Sequence, residues 1–261
     1  MVETVSNLRE SRVIDPSDGR SVLIDCTGEL RLGLLANTVS RECFENVDGV
    51  VVYEDSVIGY LNLFLGREAP SYILRVKHYE PERAGRNWAE ELVVQALRID
   101  ASALIYLLSI GHEDERLDSS SMSTIAMLSD VCNEYDLPLI AEVVPQGERI
   151  KRENYLDCVG LAARMAVEAG ASVVAIPFLN GFEAFQAVVN AVKIPTLLID
   201  PQSRYTFLKT RNSIREIIRS VLKAGLSGVI LGPSLVRSKD PDKLLADIVS
   251  IVHGGIRLEN R

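Results

Sequence analysis

Four cysteines, three histidines and one tryptophan in 261 residues leave little material for several kinds of protein. Cys26, Cys43, Cys132 and Cys158 contain no C-x-x-C pair. Neither a zinc cluster nor a disulfide scaffold is readable from them, and reduced thiols in a cytoplasm fit best. No stretch reaches the roughly 18 consecutive apolar residues of a membrane span, and Met1 to Arg12 lacks the apolar core of a leader segment. The expectation is a cytoplasmic chain with no membrane partner. Basic runs are missing as well: 28 Lys and Arg stand against 36 Asp and Glu, a formal charge of −8. That balance disfavours a nucleic-acid partner, whose phosphates would need clustered cations. With no metal-ligand spacing and no cofactor motif standing out, no cofactor is expected.

What is present is apolar and regularly spaced. Hydrophobic residues make up 47% of the chain and charged residues 25%, within the ordinary globular range. A fold of this length buries roughly 70–75% of the surface of its unfolded chain and needs no staple. Eight short β-branched runs recur: 21–25, 49–53, 72–77, 103–108, 137–143, 172–176, 196–200 and 228–231. Between them lie helical periods, such as 87–98 with Trp88, Leu92, Val93 and Ala96 on one side, and 155–169 with Val159, Ala162, Ala163 and Ala166. Strand and helix alternating eight times predict an α/β fold, a (β/α)8 TIM barrel in one domain over 1–261, with 1–12 as an N-terminal extension and 254–261 as a tail. A five-stranded open sheet would leave three βα units unplaced. The run Leu61–Leu65, "LNLFL", is expected to form a helix that buries its side chains against the barrel.

Barrel enzymes place their chemistry at the C-terminal ends of the strands, so the residues that end each run and their parity matter. In the third run Arg75 and Lys77 share a face, and two cations on a doubly covered strand predict an inward orientation for both. The same parity brings Leu23 and Asp25, Ile140 and Glu142, and Leu198 and Asp200 inward. Such a set can be a structural ion network, or it can assign a carboxylate to proton transfer and a lysine to nucleophilic work. The catalytic candidates are therefore Asp25, Lys77 and Glu142, with Arg75 and Ser109 as substrate-binding neighbours. For Lys77 to act, its pKa would have to fall from about 10.4 towards about 7, which Arg75 and desolvation favour and Glu142 opposes.

The loops add further candidates. Gly232, Pro233 and Ser234 follow the eighth run in a short helix whose first amides could hold a phosphate, and Asp200, Ser203 and Arg204 lie in the adjacent loop. A tight strand-to-helix turn is the alternative account of the same residues. His78 and His112, with Glu80, Glu113 and Glu115, could hold a divalent metal, although solvated loops explain them as well and no metal is expected. His253 reads as a packing or capping residue of the last helix.

Over about 12–253 the chain resembles the class I aldolases that include archaeal-type fructose-bisphosphate aldolase, deoxyribose-phosphate aldolase and 2-amino-3,7-dideoxy-D-threo-hept-6-ulosonate synthase. The resemblance is carried by "DGRSVLID" (18–25), "PLIAEVVPQG" (138–147), "GASVVAIPF" (170–178), "KIPTLLID" (193–200), "AGLSGVILGPSLVRSKDP" (224–241) and "IVH" (251–253). It implies a lyase acting on a small sugar or keto compound, phosphorylated or not, in a homo-oligomer. It also exposes departures: Ala175 stands at the family's Schiff-base lysine, Val144 at its strand-five tyrosine, and Asp25-Cys26 at its Asp-His pair. Ile199-Asp200-Pro201 replaces the Gly-Gly phosphate loop and Gly232-Pro233 the later Gly-Arg, while Glu142 matches a strand-five glutamate of the tagatose-bisphosphate branch. A methyl group cannot form an iminium. Two functions follow as expectations: a divergent aldolase-like lyase centred on Lys77 and Glu142, or an inactive homologue that binds a metabolite or serves assembly.

Overall fold

The computed structural model describes residues 8–66, 68–77 and 85–254. Eight parallel strands, β1 (Ser21–Asp25), β2 (Gly49–Val52), β3 (Ser71–Arg75), β4 (Ala103–Ile110), β5 (Leu139–Pro145), β6 (Val173–Ile176), β7 (Thr196–Ile199) and β8 (Gly228–Leu231), close into a barrel in sequence order. Each apolar run of the sequence is thus a strand. Closure pairs β8 with β1 in register Ser21 to Gly228, and there glycine is required because a Cβ on residue 228 would run into the Ser21 carbonyl.

Helices cover the outside. α1 (Leu32–Thr38) and α2 (Arg41–Glu45) follow β1, α3 (Glu54–Ile58) follows β2, and α4 (Arg86–Arg98) follows β3. After each of β4 to β7 comes one long helix: α5 (Glu115–Glu134), α6 (Tyr155–Glu168), α7 (Phe182–Val192) and α8 (Ile214–Lys223). β8 is followed by the short α9 (Pro233–Val236) and by α10 (Pro241–His253). The larger core lies between strands and helices, where Val22, Leu74, Leu104, Val143, Val174 and Val229 meet Val93, Leu128, Val159 and Leu245. Burial on both faces explains why the strands read as continuous apolar runs rather than alternating ones.

A second, smaller core fills the barrel itself. Leu23, Val51, Ile73, Ala103, Ile105, Ile140, Val173, Ala175, Leu197, Ile199 and Ile230 point inward, and Val13 and Ile14 join them. The N-terminal segment is tied to strand starts by bonds from the Ser21 hydroxyl to the Val13 carbonyl (2.6 Å) and from the Ser71 hydroxyl to the Arg12 carbonyl (3.1 Å). That end of the barrel is plugged and pinned by buried His253, whose ring nitrogens lie 2.7 Å from Asp18 and 3.2 Å from Asp48. Leu61–Phe64 forms one 3-10 turn rather than a helix laid on the barrel; Leu63 and Phe64 pack inward while Leu61 and Leu65 stay exposed. Four residues cannot complete the repeating stripe that would bury all of them.

Candidate active site

The C-terminal rim of the barrel holds a buried triad of charges. Arg75 at the end of β3 donates from Nη1 to Glu142 of β5 (2.5 Å) and from Nη2 to Asp25 of β1 (3.2 Å). Glu142 is 1% exposed, Arg75 6% and Asp25 20%. Burial works against the guanidinium charge, but the Glu142 and Asp25 carboxylates outweigh it and hold Arg75 more firmly protonated than usual. Its buried Nε has no partner among the described residues. The other Asp25 oxygen accepts the Thr27 amide (2.8 Å) and the Thr27 hydroxyl, so the carboxylate also organises the first loop.

Lys77 does not join this group. β3 ends at Arg75, and although the Val76 amide still bonds the Ile105 carbonyl (2.9 Å), the chain then leaves the barrel. Lys77 is 66% exposed, 3.3 Å from Asp55 and 5.7 Å above the Tyr53 ring. An inward Lys77 requires a strand that continues to residue 77, and β3 stops two residues short of it.

Asp200 is displaced for a related reason. Leu197 and Ile199 are the inward residues of β7, whereas Leu198 packs outward against the helices. Three consecutive apolar residues, Leu197 to Ile199, gave no alternation from which to read the face. The buried Asp200 carboxylate accepts the Gly232 amide (2.9 Å), the Ser234 amide (2.8 Å) and the Ser234 hydroxyl (2.6 Å). Both amides offered as a phosphate cradle are thus already filled by an internal carboxylate, which takes the same donors for the same electrostatic reason.

Next to the triad a cavity of about 290 Å³ opens at the mouth, lined by Asp25, Thr27, Gly28, Glu29, Arg31, Ser203, Arg204, Tyr205 and Pro233. Ser203 and Arg204 of the sequence-derived set lie here with Asp25; Gly232, Ser234 and Asp200 form the turn behind it. Sequence reasoning missed Tyr205, whose ring packs against the interior core and whose hydroxyl accepts from Arg204 at 2.7 Å. The signal available was an aromatic immediately after Arg204. Glu29 is tied to Arg237 at 3.0 Å.

On the far side of the same rim, at the end of β4, Ser109 contacts His112 (3.3 Å), and His112 contacts Asp118 (2.6 Å). The imidazole therefore bonds a serine and an aspartate rather than Glu113 and Glu115. His78 and Glu80 lie outside the described residues. Among the described residues, a His and carboxylates converge at the other end of the barrel, at Asp15, Asp18 and His253.

Comparison with known proteins agrees with this architecture. Residues 35–237 match the DeoC/LacD family aldolases. An uncharacterized aldolase of Saccharolobus solfataricus is 26% identical over 202 residues, covering 73% of this chain and 71% of the relative. A 2-amino-4,5-dihydroxy-6-oxo-7-(phosphonooxy)heptanoate synthase of Streptomyces griseus is 22% identical over 209 residues, 80% of this chain and 73% of that one. Among solved structures, an archaeal fructose 1,6-bisphosphate aldolase superposes with a TM-score of 0.73 at 20% identity, over 95% of this chain and all of the other. With its eightfold barrel, its relatives and a family match spanning most of its length, the chain belongs to the DeoC/LacD family of aldolases.

Proposed function

We propose that this family member holds a small, polar sugar- or keto-type compound at the barrel mouth and does not run aldol chemistry through an iminium. One observation carries the reading: all seven lysines lie among the described residues, and every one is exposed. An iminium needs a neutral amine, and a lysine near its ordinary value of about 10.4 is protonated at neutral pH unless burial lowers it. The cation that does face the interior, Arg75, is a guanidinium clamped between two carboxylates. Ala175 supports the same reading, since its methyl is fully buried inside the barrel at the position where the resemblance expects the lysine.

The cavity suggests the ligand class. Thr27, Ser203 and Tyr205 offer hydroxyls, Asp25 an acceptor, and Arg31 and Arg204 positive charge, a mixture suited to a polyhydroxylated compound carrying an anionic or carbonyl group. A phosphate on such a ligand would be met by the two arginines at the rim, because Asp200 occupies the amides of the β8 turn.

The test is a thermal-shift and calorimetric screen of ketoses, aldoses and keto acids, each with and without phosphate, followed by borohydride treatment and peptide mass analysis. Expected results are a stabilising ligand whose effect is lost in Tyr205→Phe with Arg204→Ala, and no reduced adduct on Lys77 or any other lysine. A borohydride-trapped lysine, or carbon–carbon cleavage that borohydride abolishes, would sink the reading.

A further inference from the structure

Across the barrel mouth from the cavity, the end of β4 gathers three side chains that ligand binding does not use. Ser109 has the parity of Ala103, Ile105 and Leu107 and so faces the interior. Its hydroxyl lies 3.3 Å from Nε2 of His112, and Nδ1 of His112 lies 2.6 Å from Oδ1 of Asp118 in the first turn of α5. An ionised carboxylate only accepts, so Nδ1 carries the proton and Nε2 turns its lone pair to the serine. Asp118 is fixed in turn by the Gly111 amide (2.8 Å) and the His112 amide (3.2 Å). From the other side Gln146 donates its Nε2 to Ser109 Oγ at 2.9 Å, which leaves the O–H free to point at His112. The loops after β4 and β5 are stitched together around this group. The Gln146 amide bonds the Ile110 carbonyl and the Arg149 amide the Gly111 carbonyl, and a Cβ on Gly147 would collide with Gly111.

We propose that Ser109, His112 and Asp118 form a Ser-His-Asp relay that makes the Ser109 hydroxyl a nucleophile toward the acyl carbon of a small carboxylic ester. The roles follow from the order of the three groups. Ser109 Oγ bonds the acyl carbon as its proton passes to His112 Nε2. The carbon–oxygen bond to the leaving alcohol breaks, and that alcohol takes the proton from His112. Water, deprotonated by His112, then cleaves the Ser109 ester to a carboxylic acid and restores the hydroxyl. Asp118 holds the tautomer and balances the transient imidazolium, and the Gln146 side-chain Nε2, 2.9 Å from Ser109 Oγ, is the nearest donor to the forming oxyanion. Ser109 is only 3% exposed, which restricts the acyl group to a small one. His112 is 20% exposed and the Gln146 side chain above is exposed, so water can reach the relay.

Were Asp118 simply pinning the loop, the amide contacts would suffice and the hydroxyl would be inert. The discriminating experiment treats the full chain with a fluorophosphonate probe, maps the labelled peptide, and follows phenyl acetate hydrolysis in parallel. Labelling is expected on Ser109 in the native protein and not in urea. Both readouts should vanish in Ser109→Ala and slow by at least about 100-fold in His112→Gln and Asp118→Asn. Asp118→Asn keeps an acceptor for only one of the two loop amides, whereas His112→Gln leaves both backbone contacts to Asp118 in place, so unchanged melting with lost labelling in His112→Gln separates catalysis from folding. A native protein unlabelled at Ser109, or labelled equally fast in His112→Gln, overturns the proposal. Neither readout depends on a ligand at the β1 and β7 cavity, so the binding function and the relay fail separately.

Discussion

Arg75 is the residue on which the barrel mouth turns. Two carboxylates make its burial tolerable, and removing it leaves Glu142 charged at 1% exposure. Arg75→Met should therefore cost about 3–5 kcal/mol in urea unfolding, whereas the pair Arg75→Met with Glu142→Leu should recover much of that loss, because a buried ion pair is worth little against apolar side chains of similar size. A double variant as unstable as the single one would mean that the triad contributes more than mutual neutralisation. Thiol chemistry sorts the cysteines at the same scale. All four are free. Burial, with Asp25 beside it, pushes Cys26 well above its ordinary value, and burial alone pushes Cys132 up to about 12. Iodoacetamide at mildly alkaline pH should label half-buried Cys43 and Cys158 in the native protein and leave Cys26 and Cys132 until it unfolds.

At the element scale the barrel shows how a turn can be completed from within. α9 is four residues long and could not hold its own start; Asp200 supplies the acceptor that its amides lack. Asp200→Ala would leave the Gly232 and Ser234 amides and the Ser234 hydroxyl unsatisfied in a buried place and the Gln202 amide in a half-buried one, with an expected loss of about 2–4 kcal/mol, each orphaned group costing about 1–3 less whatever water recovers. Hydrogen exchange should speed up at Ser234 in that variant while the α6 amides stay protected. α8 begins with a reciprocal cap, Ser213 accepting from the Glu216 amide and Glu216 accepting from Ser213, and Ser213→Ala should cost about 1 kcal/mol.

For the whole molecule the lowered carboxylates set the acid limit. Burial pushes the Asp118 carboxyl up, but the Gly111 amide and the His112 ring and amide more than offset it, and its value falls below the usual carboxylate range. The Ser213 amide and hydroxyl lower Glu216 in the same direction. Both groups ionise more readily folded than unfolded, so their contribution is complete above about pH 4.3 and is lost as pH falls through the folded values. The urea midpoint should fall below about pH 4, and by less in Glu216→Gln. A flat midpoint across that range would contradict the assignment. No helix among the described residues is long and apolar enough to cross a membrane.

Eight apolar runs and their spacing were enough to specify a closed parallel barrel, because strand length and helical period are local properties that survive in any context. The inward positions of Asp25, Arg75 and Glu142 were legible too, since a charge on a doubly covered strand has to find a partner inside. Lys77 and Asp200 were not, because a continuous apolar run carries no face information and a residue one or two places past a strand's end is free to leave. The pairing of Ser109 with His112 and Asp118 was equally hidden, although ten residues span all three. Local amides hold Asp118, and the packing of the β4 loop against the β5 loop holds Ser109 beside His112, a contact made by a segment 36 to 38 residues further on. Composition and periodicity fixed the scaffold; the closing of long-range loops decided which charges meet.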